Sequence, residues 1–581
     1  MTEMTTHARQ GGRRTPDSRG SDMRATSVSP QPARRGSPRV PLTPERRGAD
    51  LERLARGSSL NLAGSFVSAL LNLLLPVVIT RSLTRGAAGT FFEAITLFTI
   101  LINVGALGAD TGLLRAIPRA RALDRQAELR PVLRAALVPP AVASVAISVL
   151  LVLLGPHLTR LAVGPAADQQ KTFLLFLYVL AAALPIATVY TIAVTATRGF
   201  GPVKPLVYVE KIGRTAAQTA FVALCQWLAP SALLLVLAWS VPYACAGIVI
   251  AGWLQRLLLK GVRPSAAVAP PPRPYREVSR EFWSFARPRA VSRILSVGLQ
   301  RVDILLVGAI RGPADAAVYL AATRFLILGL MFVQAIQQVM APKISEMLTL
   351  GQRERAIVMY QTTTAWLTLV SWPLYLTFAV FAAPLLRVFG GSYQRGSMVV
   401  VILCLVMLVS TFCGPVDTVL LMGGRSSLSL INTGLALAVN IGLDLVLIPR
   451  YGINGAALGW MAAILVNNLL PLWEIHRFLD MHPFGAAARR ASVTALACYV
   501  PIPLLVRWLL GDTVVGICAA TVLSTVIYGA VMLAQRQVLD LDALIAVGRR
   551  SRAGLEPGAA VKLPRGRHRA PSRASRRRSR H

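Results

Sequence analysis

The segment from Phe282 to Phe325 combines long apolar runs with charged side chains. Its first run, SVGLQRVDILLVGAI, contains Arg301 and Asp303, and its second, VYLAATRFLILGL, contains Arg324. A charge near the centre of a bilayer is costly, so such residues face a polar cavity or one another. Arginine also presents a planar fork of donors that suits phosphate. Arg301 and Arg324 are therefore the first candidates for binding an anionic substrate.

Two further arginines, Arg81 and Arg115, lie nearer the predicted membrane faces and are weaker candidates for the same role. A purely structural alternative remains for the deeper pair. Arg301 could pair with Asp303 or Asp417, and Arg324 with a backbone carbonyl, simply because a buried charge needs a partner.

Acidic residues at membrane depth can titrate or bind Na⁺, which would couple transport to an ion gradient. The acids at this depth are Glu93, Asp110, Asp303, Asp417 and Asp444. Glu93 and Asp303 are the first candidates for ion coupling, followed by Asp417. Capping of helix ends explains Asp110 and Asp444 nearly as well.

The elements that must position these residues are membrane helices. The chain has 581 residues, of which 54% are hydrophobic and 15% charged, with a mean hydropathy of +0.55. About fourteen apolar segments reach the roughly 20 residues that a helix needs to cross a bilayer. Runs this long indicate helices rather than a barrel. The sequence predicts an all-α polytopic membrane protein with two six-helix lobes and two C-terminal helices.

Composition divides the chain into six predicted segments. Arg-, Pro- and Ser-rich ends have the composition of disordered tails, and the run APPPRP marks a linker between the lobes. The segments are a basic tail at 1–57, the first lobe at 58–257, the linker at 258–281, the second lobe at 282–480, two spans and an interfacial helix at 481–548, and a basic tail at 549–581.

The net charge of +36 follows the membrane topology. Most loop arginines and lysines fall on the side of the tails, which by the positive-inside rule puts both termini in the cytoplasm. This distribution favours contact of the tails with anionic lipids in the plasma membrane over binding of nucleic acid.

Enzymatic chemistry finds little support in the sequence. The only Asp-x-Asp, at Asp540 and Asp542, lies in an amphipathic stretch that is expected to rest on the membrane interface. The six cysteines fall inside apolar runs at no metal-ligand spacing, and no P-loop is present. We therefore expect no catalytic residues, metal or cofactor.

Four stretches resemble the oligosaccharide flippases of the polysaccharide-export group. That group belongs to the superfamily that also contains cation-coupled multidrug exporters and lipid II flippases. The resemblance covers roughly residues 58–480. The stretches are NLAGSFVSALLNLLLPVVITRSLTRGAAGTFFEA at 61–94, LQRVDILLVGAIRGPADAAVYLAATRF at 299–325, QQVMAPKISEM at 337–347 and IPRYGINGAALGWMAA at 448–463.

The resemblance implies a substrate made of sugars on a polyprenyl pyrophosphate, moved across the membrane by alternating access of the two lobes. It also allows a polysaccharide polymerase and glycosyltransferases as partners. On the same fold, a cation-coupled exporter of small amphipathic compounds and a lipid II flippase remain alternatives. A membrane glycosyltransferase is a less favoured reading.

Overall fold

The protein is helical throughout the part that the computed structural model describes, which is residues 44–123, 125–163, 167–228, 230–261 and 273–535. Eleven of these helices are long and apolar enough to cross a membrane, or twelve if one bent pair within Pro313–Gln334 counts as a single span. The prediction of an all-α multi-pass membrane protein is confirmed, with a span count close to the predicted fourteen.

The first half contains seven α-helices and one π-helix. They are α1 (Pro44–Ser82), α2 (Arg85–Gly105), α3 (Ala109–Ala122), α4 (Leu129–Val163), α5 (Ala167–Gly199), the π-helix (Leu206–Arg214), α6 (Thr215–Leu228) and α7 (Ala232–Gly261).

The second half contains eleven α-helices. They are α8 (Tyr275–Arg311), α9 (Pro313–Thr349), α10 (Arg353–Val380), α11 (Ala382–Leu386), α12 (Ser397–Cys413), α13 (Val416–Met422), α14 (Ser426–Tyr451), α15 (Ile453–Leu479), α16 (Ala486–Tyr499), α17 (Pro501–Leu510) and α18 (Val514–Ala534).

The boundaries of the tails and the linker stay predictions. Helix α1 begins at Pro44, ahead of the limit predicted at residue 57. Residues 1–43, most of the linker (262–272), and residues 536–581 with Asp540 and Asp542 lie outside the described residues.

A glycine at the break between α2 and α3 sets the direction of α3. Gly108 has φ +73°, a left-handed conformation that glycine adopts without steric cost. A Cβ atom at this position would lie 2.6 Å from the carbonyl oxygen of Ala286 and 2.7 Å from the amide nitrogen of Ala290. The glycine therefore allows α3 to pack directly against the backbone of α8.

The apolar core is continuous at one end of the bundle and divided at the other. One buried cluster joins helices of both halves, including α2, α5, α9 and α12. Toward the opposite end, one cluster joins α3, α4, α5 and α7 to the first turns of α8, and a separate cluster joins α9, α10, α13 and α15. We call the end with the continuous core the closed end. We call the end with two separate clusters, where α8 and α14 begin, the cleft end. At the closed end apolar contact joins many helices of both halves, whereas among the described residues at the cleft end it joins the first half to α8 and leaves α9, α10, α13 and α15 in a cluster of their own.

An arginine from the linker, Arg273, joins two carboxylates in an ion-pair cluster at the cleft end. Arg273 donates to both carboxylate oxygens of Glu128 at 2.7 and 2.9 Å and to Glu281 at 2.6 Å. Arg119 also pairs with Glu281. The hydrogen bond to Glu128, with the one to Glu281, holds the pKa of Arg273 above its ordinary value, so Arg273 stays charged.

We expect Arg273→Ala to lower the apparent melting temperature in detergent by about 1 °C. The pairs are partly exposed, and such pairs contribute about 0.2–1 kcal/mol each. The difference from wild type should shrink in high salt, because salt screens exposed charges. Arg276→Ala, on an exposed neighbouring arginine, is the control. An equal loss in both variants would contradict a specific role for Arg273.

Candidate functional site

A cleft of about 500 Å³ opens at the cleft end between α3 and α8 on one side and α13 and α14 on the other. Two arginines, one carboxylate and many hydroxyls line it. The lining residues are Thr111, Ser284, Phe285, Pro288, Arg289, Ser292, Arg293, Ser296, Asp417, Leu421, Ser426, Ser427, Ser429, Leu430 and Thr433. This lining suits an anionic, hydrated ligand better than an apolar one.

One face of α8 carries polar residues from the mouth of the cleft into the bundle. Ser292 and Ser296 line the cleft, and Gln300, one turn further, is exposed. Residues four apart lie on the same face of a helix, one above the other. Arg293 beside this row donates its Nε to the Asn103 Oδ1 of α2 at 3.0 Å. The polar face of α8 thus leads from the cleft toward Arg301.

Arg301 and Arg324 lie on neighbouring helices beyond the inner end of this row. Both are half-buried, and their positive charges act on each other. Arg301 also lies within electrostatic reach of Asp303. Within the described part of the chain, neither guanidinium has an ion-pair partner within 4 Å, and the buried Nε of Arg324 has no hydrogen-bond partner. Two adjacent arginines with free donors form an arrangement that can bind a diphosphate.

Asp303 belongs to a buried group of oxygen atoms in the second half. The Tyr319 hydroxyl donates to Asp303 Oδ2 at 2.5 Å, and the Ile304 amide donates to Oδ1 at 2.9 Å. Asp444 of α14, whose charge acts on Asp303, accepts from Asn440 at 3.2 Å. Among the described residues, Asp444 Oδ1 and Asn440 Oδ1 are buried without a hydrogen-bond partner. Carboxylate and amide oxygens of this kind are ligands for a hard cation.

Glu93 is buried where α2 meets α8 and lies apart from the oxygen group. Its side chain is 1% exposed, and neither carboxylate oxygen has a hydrogen-bond partner in the described part of the chain. The carboxylate fits only because residue 308 is glycine, since a Cβ atom there would lie 2.2 Å from Oε1. A carboxyl group in such a place is suited to carry a proton rather than to bind a metal ion.

The remaining predicted residues fall at other places. Asp417 lines the cleft and accepts from the Ser429 hydroxyl at 2.5 Å, away from any pairing with Arg301. Arg115 lies over the Phe285 ring at 4.4 Å, and Arg289 of the cleft lies over the same ring at 5.6 Å. Arg115 is thus adjacent to the cleft. Arg81 lies at the closed end and donates to the backbone carbonyls of Arg387 and Val388.

The sequence analysis also missed a polar cluster within the first half. Arg214 donates to both oxygens of Glu210 at 2.8 and 3.0 Å, and Tyr190 donates to Glu210 at 2.5 Å. Lys211, on the same π-helix, donates to Asn61 Oδ1 at 2.8 Å. Under the positive-inside rule Lys211 and Arg214 count among the basic loop residues, whereas the structure places both on the π-helix. The spacing of Glu210 and Arg214, four residues apart, was the available signal for a helical ion pair.

Comparison with protein families gives two matches. The polysaccharide biosynthesis protein family matches residues 54–348, which is half of the chain, and the MatE family matches residues 288–446. A curated relative, the probable low-salt glycan biosynthesis flippase Agl15 of Haloferax volcanii, is 21% identical over 206 residues. That match covers 35% of this chain and 43% of the relative, so the chain spans less than half the length of that relative.

Solved transporter structures share the fold. The lipid II flippase MurJ in an inward closed conformation superposes with a TM-score of 0.62 at 14% identity, covering 81% of this chain and 99% of that one. An inward-facing multidrug resistance MATE family transporter gives a TM-score of 0.58 at 16% identity, covering 71% and 94%. Identities this low show the fold and leave the substrate open. The chain belongs to the polysaccharide biosynthesis protein family and has the fold of the multidrug/oligosaccharidyl-lipid/polysaccharide exporter superfamily.

Proposed function

We propose that the chain is a flippase that moves a polyprenyl-pyrophosphate-linked oligosaccharide across the cell membrane by alternating access. The observation that carries the proposal is the cleft, because its arginines and hydroxyls lie along α8 on the face that leads toward Arg301, and Arg324 of α9 lies beside Arg301. The arginines suit a diphosphate, and the hydroxyls suit sugars. The name of the Haloferax volcanii relative supports the same class of substrate.

The cleft end is cytoplasmic in this proposal, and both termini lie on that side. Support comes from the bias of basic residues toward the loops on the side of the tails, because those loops lie at the cleft end. Substrate would enter from the cytoplasmic leaflet and leave when the closed end separates. The lipid-linked oligosaccharide and anionic lipids are the partners we infer, with a polymerase and glycosyltransferases acting on the same glycan.

A cation bound in the second half is the coupling element that we propose. Asp303, Asn440 and Asp444 supply oxygen ligands, two of which are buried without a donor. A cation there would neutralise the carboxylates and hold α8 to α14. Glu93 would instead carry a proton at the interface between the halves. Asp417, on the cleft wall, would act at the entrance.

Reconstitution in liposomes tests the substrate class. Fluorescent polyprenyl-pyrophosphate oligosaccharide is placed in the outer leaflet, and its protection from a membrane-impermeant quencher is followed with and without Na⁺ and proton gradients. We expect transfer of this lipid by wild-type protein. Transfer of lipid II alone would contradict the proposed substrate and identify the protein as a lipid II flippase. Export of a lipophilic cation alone, under an ion gradient, would favour the multidrug exporter that the MatE match suggests.

The arginines at the mouth of the cleft should govern capture of the substrate. We expect the double variant Arg289→Gln with Arg293→Gln to raise KM for the oligosaccharide lipid about a hundredfold, since each of the two lost charge-assisted hydrogen bonds is worth about 1.5 kcal/mol. The maximal rate of transport should change less, because the lipid is moved across the membrane only after it has been captured. Arg477→Gln, on an exposed arginine of α15 at the same end, is the control. An unchanged KM would remove the cleft from the entry path.

A further inference from the structure

Two helices end at a single corner of the second half at the closed end. Helix α10 ends at Val380, and α11 continues into a 3₁₀ turn, Arg387–Phe389. The last carbonyls of a helix lack intrahelical partners and carry partial negative charge. Arginines from two other parts of the chain donate to this corner.

The first arginine comes from the opposite half. Arg81, at the end of α1, donates its Nε to the carbonyl of Val388 and an Nη to the carbonyl of Arg387, both at 2.8 Å. The planar fork of arginine matches two successive carbonyls, which the single ammonium of lysine cannot do. These bonds join the two halves directly.

The second arginine comes from the last two spans. Arg507 of α17 donates to the carbonyl of Val380 at 2.8 Å and pairs with Asp512 at 2.8 Å. Arg387 in turn reaches the carbonyl of Asp512 at 3.4 Å. The corner is thus held on one side by α1 and on the other by the connection between α17 and α18.

We propose that Arg81 is a latch that keeps the closed end shut, and that Arg507 and Asp512 are positioning residues that hold the corner which Arg81 binds. This inference rests on the transport cycle proposed above. When the halves separate at this end, Arg81 must leave its carbonyls, whereas Arg507 moves with the second half. The last two spans therefore act on the gate through the corner at residues 387–389.

Spin labels at the closed end test the latch. Ser82→Cys and Ser392→Cys, two exposed positions on either side of it, are labelled in protein whose six native cysteines are replaced. With Arg81 in place, double electron–electron resonance should show a single short distance between the two labels. Arg81→Ala should raise the population at longer distance about tenfold, the effect of losing one charged hydrogen bond or more. Arg81→Lys should restore part of the short distance.

The same label pair tests the last two spans. Arg507→Ala should also increase the longer distance, Asp512→Asn should do so to a smaller extent, and Arg507→Lys should reverse part of the change. Arg160→Ala, on an exposed arginine of α4 at the same end, is the control and should leave the distances unchanged.

Unchanged distances in Arg81→Ala would overturn the latch. A response to Arg81→Ala but to neither Arg507→Ala nor Asp512→Asn would overturn the role of the last spans. Distances that respond as expected in protein that moves no oligosaccharide lipid would support the latch and count against the proposed substrate alone.

Discussion

Arg324→Met should abolish flipping of the oligosaccharide lipid while leaving the apparent melting temperature unchanged or higher. Arg324 has a buried Nε without a hydrogen-bond partner in the described chain, and the charge of Arg301 repels it. An unpaired charge inside a helix bundle destabilises the fold, so an apolar replacement of similar volume removes that penalty. The positive charge of Arg324 thus costs stability, and we infer that it is present because it binds the anionic substrate.

The same reasoning applies to Arg301 with a smaller gain in stability, because Asp303 lies within electrostatic reach. Arg301→Gln should reduce the rate at least about tenfold through the loss of charged hydrogen bonds to the diphosphate. Arg301→Lys should keep part of the activity, since the charge remains and the fork is lost.

Thermal unfolding in detergent and liposome transport, measured on the same preparations, distinguish the two roles of these arginines. Arg395→Met, on an exposed arginine at the closed end, is a matched control that should alter neither. If Arg324→Met lowers the melting temperature and transport in parallel, the arginine serves the fold. Such a result would restore the structural alternative in which its charge is satisfied by a carbonyl.

The sequence could identify Arg301, Asp303 and Arg324 because charge inside an apolar run is a local signal. It could also predict the helices, since each span is a continuous apolar segment. Arg289 and Arg293 were not found in this way. They lie toward the middle of α8, a long helix with many arginines in its first half, and only the packing of α13 and α14 opposite them makes a cleft.

Pairings between distant helices explain the other omissions. Capping of a helix end explains Asp444 nearly as well as ion coupling from the sequence alone, yet Asp444 lies on α14 within electrostatic reach of Asp303 on α8. Arg81 was a candidate for the substrate, yet its donors bind carbonyls 306 and 307 residues away. Neither contact has a signature in local spacing, so neither could be derived without the fold.

Gly89→Val should prevent the closed end from forming and stop transport. A Cβ atom at Gly89 would lie 1.7 Å from the carbonyl oxygen of Pro313 and 2.3 Å from its carbon, at the start of α9. Both atoms are backbone and cannot swing aside, so α2 and α9 must move apart. Overpacking of this kind costs about 3 kcal/mol, which for a chain of this length we expect to lower the apparent melting temperature by about 2–3 °C.

The separation should be visible with the Ser82 and Ser392 labels, whose distance we expect to lengthen as in Arg81→Ala. Gly247→Val on α7 is the matched control, because a Cβ atom there meets nothing within 4 Å among the described residues. Helix propensity alone should leave the stability of this variant unchanged or slightly higher, because valine is a better helix former than glycine. Equal stability and equal label distances in the two variants would show that close packing of α2 on α9 is not what shuts this end. The latch formed by Arg81 would then have to keep the halves together without support from that contact.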